Sequence, residues 1–199
     1  MKLKIEEPVG ILGVGVEGRS TIDYLRRHNI KDITALDKSP IDSLPNDIST
    51  IWGSEHDKNL ERFAVIFRSP GIRPDHPQLV LAAKTGTQIT SATSYFLECC
   101  NAPIIAITGT LGKGTACALT AHLLESVGHR VYLGGNIGKN PLDFLDDIIN
   151  TDKVVLELSS FQTMDLSVSP QIGVILKTTS EHLDWHRDNE TPKVHPTQK

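Results

Sequence analysis

Short apolar runs recur along the chain, each long enough for one buried strand, and helical spacings separate most of them. Residues 9–14, 33–36, 64–67, 87–90, 104–107, 131–133, 154–158 and 172–176 predict strands. Between them, Ile22, Leu25 and Ile30 mark one helix, residues 79–84 a second, and residues 91–100 a third with Ser91 or Thr93 as its N-cap. Leu119, Leu123, Leu124 and Val127 place an apolar side on a fourth helix, which Gly128 stops, and Pro141 and Leu142 begin a fifth. Strands alternating with helices predict an α/β protein with parallel sheets. Asn101-Ala102-Pro103 breaks the series, which then starts again. The expected division is a Rossmann-like parallel-sheet domain at 1–97, a second and incomplete P-loop-type α/β domain at 98–187, and an atypical, disordered tail at 188–199.

Two glycine loops carry the candidate chemistry. The run at 104–107 leads into Thr108-Gly109-Thr110-Leu111-Gly112-Lys113-Gly114-Thr115 and then a helix. Strand, glycine loop with lysine, helix is how a chain builds a phosphate cradle. Glycines turn backbone N–H groups inward, the helix N-terminus adds partial positive charge, and lysine adds a full one. The strict P-loop has glycine six residues before the lysine and Ser or Thr directly after it; here Ile107 and Gly114 stand there, and the hydroxyl comes at Thr115. Glu157 lies near the end of a later strand, where a nucleotide site needs a metal ligand. Gly134-Gly135-Asn136-Ile137-Gly138 is a further glycine-rich strand end.

The first run opens into Gly13-Val14-Gly15-Val16-Glu17-Gly18, a G-x-G-x-x-G, and the next strand ends on Asp37. This fits a dinucleotide fingerprint, in which an acid about 20 residues on meets the ribose. It also fits an acid that caps its strand end and binds nothing. Ser69-Pro70-Gly71 is a turn at the carboxyl end of another strand, where open α/β sheets bind ligands.

The net charge of −4 gives no support for a nucleic-acid or membrane partner, and no apolar run approaches the roughly 20 residues of a membrane span. The N-terminus carries no signal-like apolar region, and Cys99, Cys100 and Cys117 have no metal-ligand spacing. A reduced, cytoplasmic setting is expected.

These residues resemble the Mur ligase family over nearly the whole chain, from Val9 to about His186. ITGTLGKGT resembles the family's ATP loop; GGNIG and LELSSFQ at 156–162 are the most specific matches; SEHLDWH at 180–186 resembles its histidine loop; and SPGI with the GVGVEG loop and Asp37 resembles a UDP-binding domain. The resemblance implies ATP and Mg²⁺ as cofactors, and UDP-N-acetylmuramoyl-L-alanine and D-glutamate as small-molecule substrates of a monomer. ATP would phosphorylate the free carboxylate, and the amine of D-glutamate would attack the acyl phosphate to form an amide in peptidoglycan precursor synthesis. It implies that Gly109, Thr110, Gly112, Lys113, Gly114 and Thr115 bind ATP, with Lys113 on the β- and γ-phosphates. Thr115, Glu157 and His182 would hold Mg²⁺. Asn136 would face the substrate, and Gly13, Gly15, Gly18, Asp37, Ser69, Pro70 and Gly71 would hold the UDP end.

The chain departs from the family at Leu111, where asparagine is usual, at Gly114, and at Lys177, where asparagine is again usual. The family runs to roughly twice this length with a third domain, so the sequence is expected to be a fragment, inactive alone. Two other readings compete. One is a UDP-sugar-binding module without catalysis. The other is an NAD-dependent oxidoreductase, which rests on the first glycine loop and Asp37 and leaves the second half without a role.

Overall fold

A computed structural model describes residues 3–164 and 166–179. The chain divides into two units, the first ending at Tyr95 and the second starting at Phe96.

The first unit is a parallel sheet in the order β3-β2-β1-β4-β5. Its strands are β1 (Val9–Leu12), β2 (Ile33–Asp37), β3 (Ser49–Trp52), β4 (Val65–Arg68) and β5 (Gln88–Thr90). β1, β2 and β4 are buried nearly throughout, which is why they read as unbroken apolar runs rather than alternations. β3 escapes that reading because it is a short edge strand, exposed at three of its four residues. Between strands lie α1 (Val16–Arg27), α2 (Pro77–Lys84) and the start of α3 (Ala92–Cys99). α1 stops before Ile30: Asn29 takes a left-handed conformation (φ 62°), and the Ile30 N–H closes back on the Leu25 carbonyl. Ser91 caps α3 by accepting the Ser94 N–H at 3.1 Å. One face of the sheet packs Leu12, Leu36 and Ile66 against Leu60, Phe63, Leu79 and Ala82.

In this sheet the chain leaves β1 toward β2 and β3, then returns to β4 on the other side of β1. That reversal is a topological switch point at the carboxyl ends of β1 and β4, the place where open α/β sheets receive ligands.

The second unit is also all parallel, in the order β7-β8-β6-β9. It comprises β6 (Ile104–Thr108), α4 (Lys113–Ser126), β7 (Val131–Gly135), β8 (Lys153–Glu157) and β9 (Ile172–Ile175). Ile107, Cys117, Ala121 and Val155 form its buried cluster.

Two expectations change here. α4 buries Cys117 and Ala121 and packs Leu124 beside them, while Leu119, Leu123 and Val127 are exposed. The helix therefore carries two apolar stripes, and the larger one faces away from the sheet. Residues 141–147 form two short 3₁₀ turns in place of a helix. Leu142 and Phe144 are both buried, and positions two apart do not share a helix face. Phe144 stacks on Tyr132 and meets Phe96 edge-on. Among the described residues β9 is an edge strand, and no helix is long and apolar enough to cross a membrane.

Candidate functional site

In the second unit, β6 runs through residues 109–112 into α4. Gly109 (φ 142°) and Gly112 (φ 82°) hold conformations that side chains resist, so the loop can fold tightly over the helix start. Gly112 is the N-cap and supplies no side chain, so no side-chain cap occupies the first-turn N–H groups of α4. Lys113 folds back and donates from Nζ to the Thr110 carbonyl at 2.9 Å. The loop is clipped from the far side: the Thr110 N–H donates to the Lys177 carbonyl, the Thr179 N–H to Thr110 Oγ1, and the Leu176 N–H to the Thr108 carbonyl.

Glu157 ends β8, the strand beside β6, and is only 4% exposed. Its Oε1 accepts the Asn136 amide at 3.1 Å. Its Oε2 lies 3.2 Å from where a Cβ on Gly114 would stand. The carboxylate thus abuts the first turn of α4, and no Lys, Arg or His among the described residues pairs with it. A buried carboxylate without a cationic side chain, beside a helix N-terminus, fits a bound cation. The position that faces it is Gly114, whereas Thr115 is exposed. Among the described residues no cluster of three or more His, Cys, Asp or Glu forms a cation cage. His182 lies outside the described residues.

Gly135 is fixed by close approach. A Cβ there would stand 2.2 Å from the Glu157 carbonyl oxygen, and its φ is 98°. Behind the carboxylate, burial first and the Glu157 charge second push the Cys117 thiol up to about 11.

In the first unit, Gly13, Gly15 and Gly18 each do something different. A Cβ on Gly13 would stand 2.5 Å from the Ser69 Cβ, so this glycine lets the loop after β1 touch the turn after β4. A Cβ on Gly18 would stand 2.3 Å from the Gly13 carbonyl oxygen, so Gly18 seats α1 against the loop. A Cβ on Gly15, the uncapped N-cap of α1, would have no neighbouring atom within 4 Å. Asp37 accepts the Val14 N–H on Oδ2 at 2.7 Å and the Ser39 N–H on Oδ1 at 3.0 Å. It therefore ties the glycine loop to the end of β2, and its carboxylate retains lone pairs for a further donor.

Sequence reasoning overlooked Arg68. It is 2% exposed, and its guanidinium donates to the carbonyls of Ser69 and Ile72, holding the Ser69-Pro70-Gly71 turn from within. An arginine at the end of an apolar strand, directly before Ser-Pro-Gly, was the available signal.

Two parallel-sheet units, each running from its first strand through a glycine loop into an uncapped helix, define a Rossmann-like α/β protein. Residues 7–91 match the N-terminal domain of MurD-like Mur ligases, and residues 107–191 match the Mur ligase middle domain. The chain belongs to the Mur ligase family. It is 39% identical over 198 residues to a UDP-N-acetylmuramoylalanine–D-glutamate ligase of Acetivibrio thermocellus, covering 95% of this chain and 42% of that protein. It is 39% identical over 187 residues to the ligase of that name from Ruminiclostridium cellulolyticum, covering 90% and 40%. The chain thus spans about two fifths of the length of the curated relatives it matches. A UDP-N-acetylmuramate:L-alanyl-gamma-D-glutamyl-meso-diaminopimelate ligase from Neisseria meningitides shares the fold, with a TM-score of 0.50 at 15% identity over 88% of this chain and 62% of that one.

Proposed function

We propose that this chain carries the nucleotide-sugar and ATP sites of a ligase that adds D-glutamate to UDP-N-acetylmuramoyl-L-alanine, in the cytoplasmic synthesis of peptidoglycan precursors. The observation that carries the reading is the second unit's glycine loop, with Lys113 at the start of α4 and the buried Glu157 carboxylate against Gly114. A carboxylate is a poor electrophile, so ligation needs phosphorylation first. The protein's task is then to hold two anions together and balance the charge that moves between them.

In this reading the uncapped N–H groups of the α4 N-terminus and the Lys113 ammonium receive the ATP phosphates. The Lys113–Thr110 contact is released when phosphate replaces the carbonyl. Glu157 holds Mg²⁺, which when bound neutralises phosphate charge, and Asn136 keeps the carboxylate oriented. Thr115 and His182 are assigned as further metal ligands from the family resemblance. The glycine loop after β1, Asp37 and the Ser69-Pro70-Gly71 turn hold the UDP end at the reversal of the first sheet. Support for the nucleotide-sugar assignment over a nicotinamide one comes from the relatives' names and from the second unit's phosphate loop, which an oxidoreductase would leave idle.

Calorimetric titration tests the reading with UDP-N-acetylmuramoyl-L-alanine and then Mg·ATP. Both are expected to bind. Lys113→Ala is expected to lose ATP and keep the UDP-sugar. A folded sample that binds neither ligand, or a Lys113→Ala protein with unchanged ATP affinity, overturns it.

A further inference from the structure

We propose that Glu17 makes the first unit's glycine loop select its ligand by charge, favouring the diphosphate diester of a nucleotide sugar over the more highly charged free nucleotide; the inference rests on the nucleotide-sugar reading above. The two glycine loops differ most at the start of the helix that follows. Both helices begin from a glycine N-cap that offers no side-chain cap. In the second unit Lys113 is the first residue of α4, so a full positive charge stands at the phosphate approach. In the first unit Val16 begins α1 and Glu17 comes next, so the corresponding turn carries a carboxylate instead.

The helix dipole alone would accept an acid in this turn and leave it in solvent. Glu17 is held instead. It is half-buried, and the hydroxyl of Thr93 on α3, itself 0% exposed, donates to Glu17 Oε1 at 3.2 Å. Thr21 Oγ1 donates to the Glu17 carbonyl at 2.8 Å, which fixes the backbone beneath it. The charge therefore stays beside the loop when an anion arrives, rather than swinging into water where it would be screened. Asp37 adds a second carboxylate, tied to the same loop through the Val14 N–H. Arg19, the next basic residue along α1, is turned to the carbonyls of Asp42 and Ser43 at 2.8 and 3.4 Å. A diphosphate esterified at both ends carries two negative charges. UDP carries about three and UTP about four at neutral pH, since a phosphate monoester loses its second proton at about pH 6. At separations of about 6 Å near a protein surface, each added unit of like charge costs about tenfold in affinity. The loop's N–H groups attract any phosphate, and the fixed carboxylate sets how much charge is admitted. The same rule sends ATP, with about four charges, to the loop that carries Lys113.

The test compares the wild-type chain with Glu17→Gln by calorimetry in EDTA, so that no divalent cation masks the charges, using UDP-N-acetylmuramoyl-L-alanine, UDP and UTP. Glutamine keeps the length of the side chain and an oxygen for the Thr93 hydroxyl. All three affinities are expected to rise in Glu17→Gln. The gain for UDP is expected to exceed that for the UDP-sugar by about tenfold, with a further step for UTP. Taking the ratio of variant to wild type for each ligand cancels the contacts that the sugar makes. Glu17→Ser, neutral and shorter, is expected to give the same order and decides the matter where Glu17→Gln does not fold. Equal gains for the three ligands in a folded neutral variant, or no gain, overturn charge selection alone. A folded wild-type chain that does not bind the UDP-sugar overturns the nucleotide-sugar reading and the inference with it.

Discussion

Asn136 and Glu157 are bonded twice. The Asn136 N–H donates to the Glu157 carbonyl at 2.8 Å, and the Asn136 side-chain amide donates to the Glu157 carboxylate at 3.1 Å. The first bond fixes where the Gly134–Gly138 loop begins; the second fixes which way the carboxylate points. Glu157→Gln keeps the shape and removes the charge. Mg·ATP affinity is expected to fall at least tenfold, while UDP-sugar binding stays unchanged. Because a buried charge without a cationic side chain is costly, melting temperature is expected to hold or rise. Calorimetry and a thermal melt read both, and unchanged Mg·ATP affinity would remove Glu157 from the metal role.

Gly15 and Gly18 separate binding from folding. Gly18→Ala drives a methyl against the Gly13 carbonyl and is expected to cost about 3 kcal/mol in denaturant titration. Gly15→Ala meets open space at an ordinary φ of −73°, so stability should move by no more than about 0.5 kcal/mol. The methyl would still occupy the approach a phosphate needs, and UDP-sugar affinity is expected to drop. Equal stability losses in the two variants would contradict this division.

Arg68→Ala is expected to destabilise the first unit by about 3 kcal/mol, because the Ser69 and Ile72 carbonyls lose a buried donor. Arg68→Lys should recover little of this, since an ammonium cannot reproduce the planar fork. Denaturant midpoints for the two variants decide it; a lysine variant as stable as wild type would show that charge alone suffices.

Cys117 predicts an alkaline effect. Its thiol is pushed from an ordinary 9.0 up to about 11, so the folded state favours the protonated form. That contribution to stability is fully present below pH 9 and is lost as pH rises toward 11. Denaturant titrations across this window should show stability falling, with a shallower fall in Cys117→Ala. At pH 8 iodoacetamide should label Cys99 and Cys100 in the native chain and Cys117 only after unfolding. Rapid native labelling of Cys117 would refute the burial argument.

Strands β1, β2, β4, β6 and β8 were legible because strands buried in a parallel sheet must be apolar throughout; β9 was legible as an apolar run although Ile172 and Ile175 are exposed at the sheet edge. β3 was not legible, since an edge strand with Ser49, Thr50 and Trp52 exposed has no such requirement. The side of α4 that meets the sheet was misread for a related reason. Periodicity reports that an apolar stripe exists, and α4 has two; the smaller residues Cys117 and Ala121 fit the close approach to β6 and β8. The glycine loops were legible by spacing. Which glycine serves a turn, a ligand approach or packing was not, because that depends on atoms distant in sequence, such as Ser69 near Gly13 and Glu157 near Gly135. Asp37 had two readings, and its bond to Val14 accounts for its capping role while leaving lone pairs for a ribose.

The tether between the glycine loop at 109–112 and the segment after β9 runs from the Thr110 N–H to the carbonyl of Lys177. A main-chain oxygen is common to all twenty amino acids. Evolutionary drift of the side chain at this position is therefore invisible to the tether, and the lysine found there changes the surface without loosening the loop.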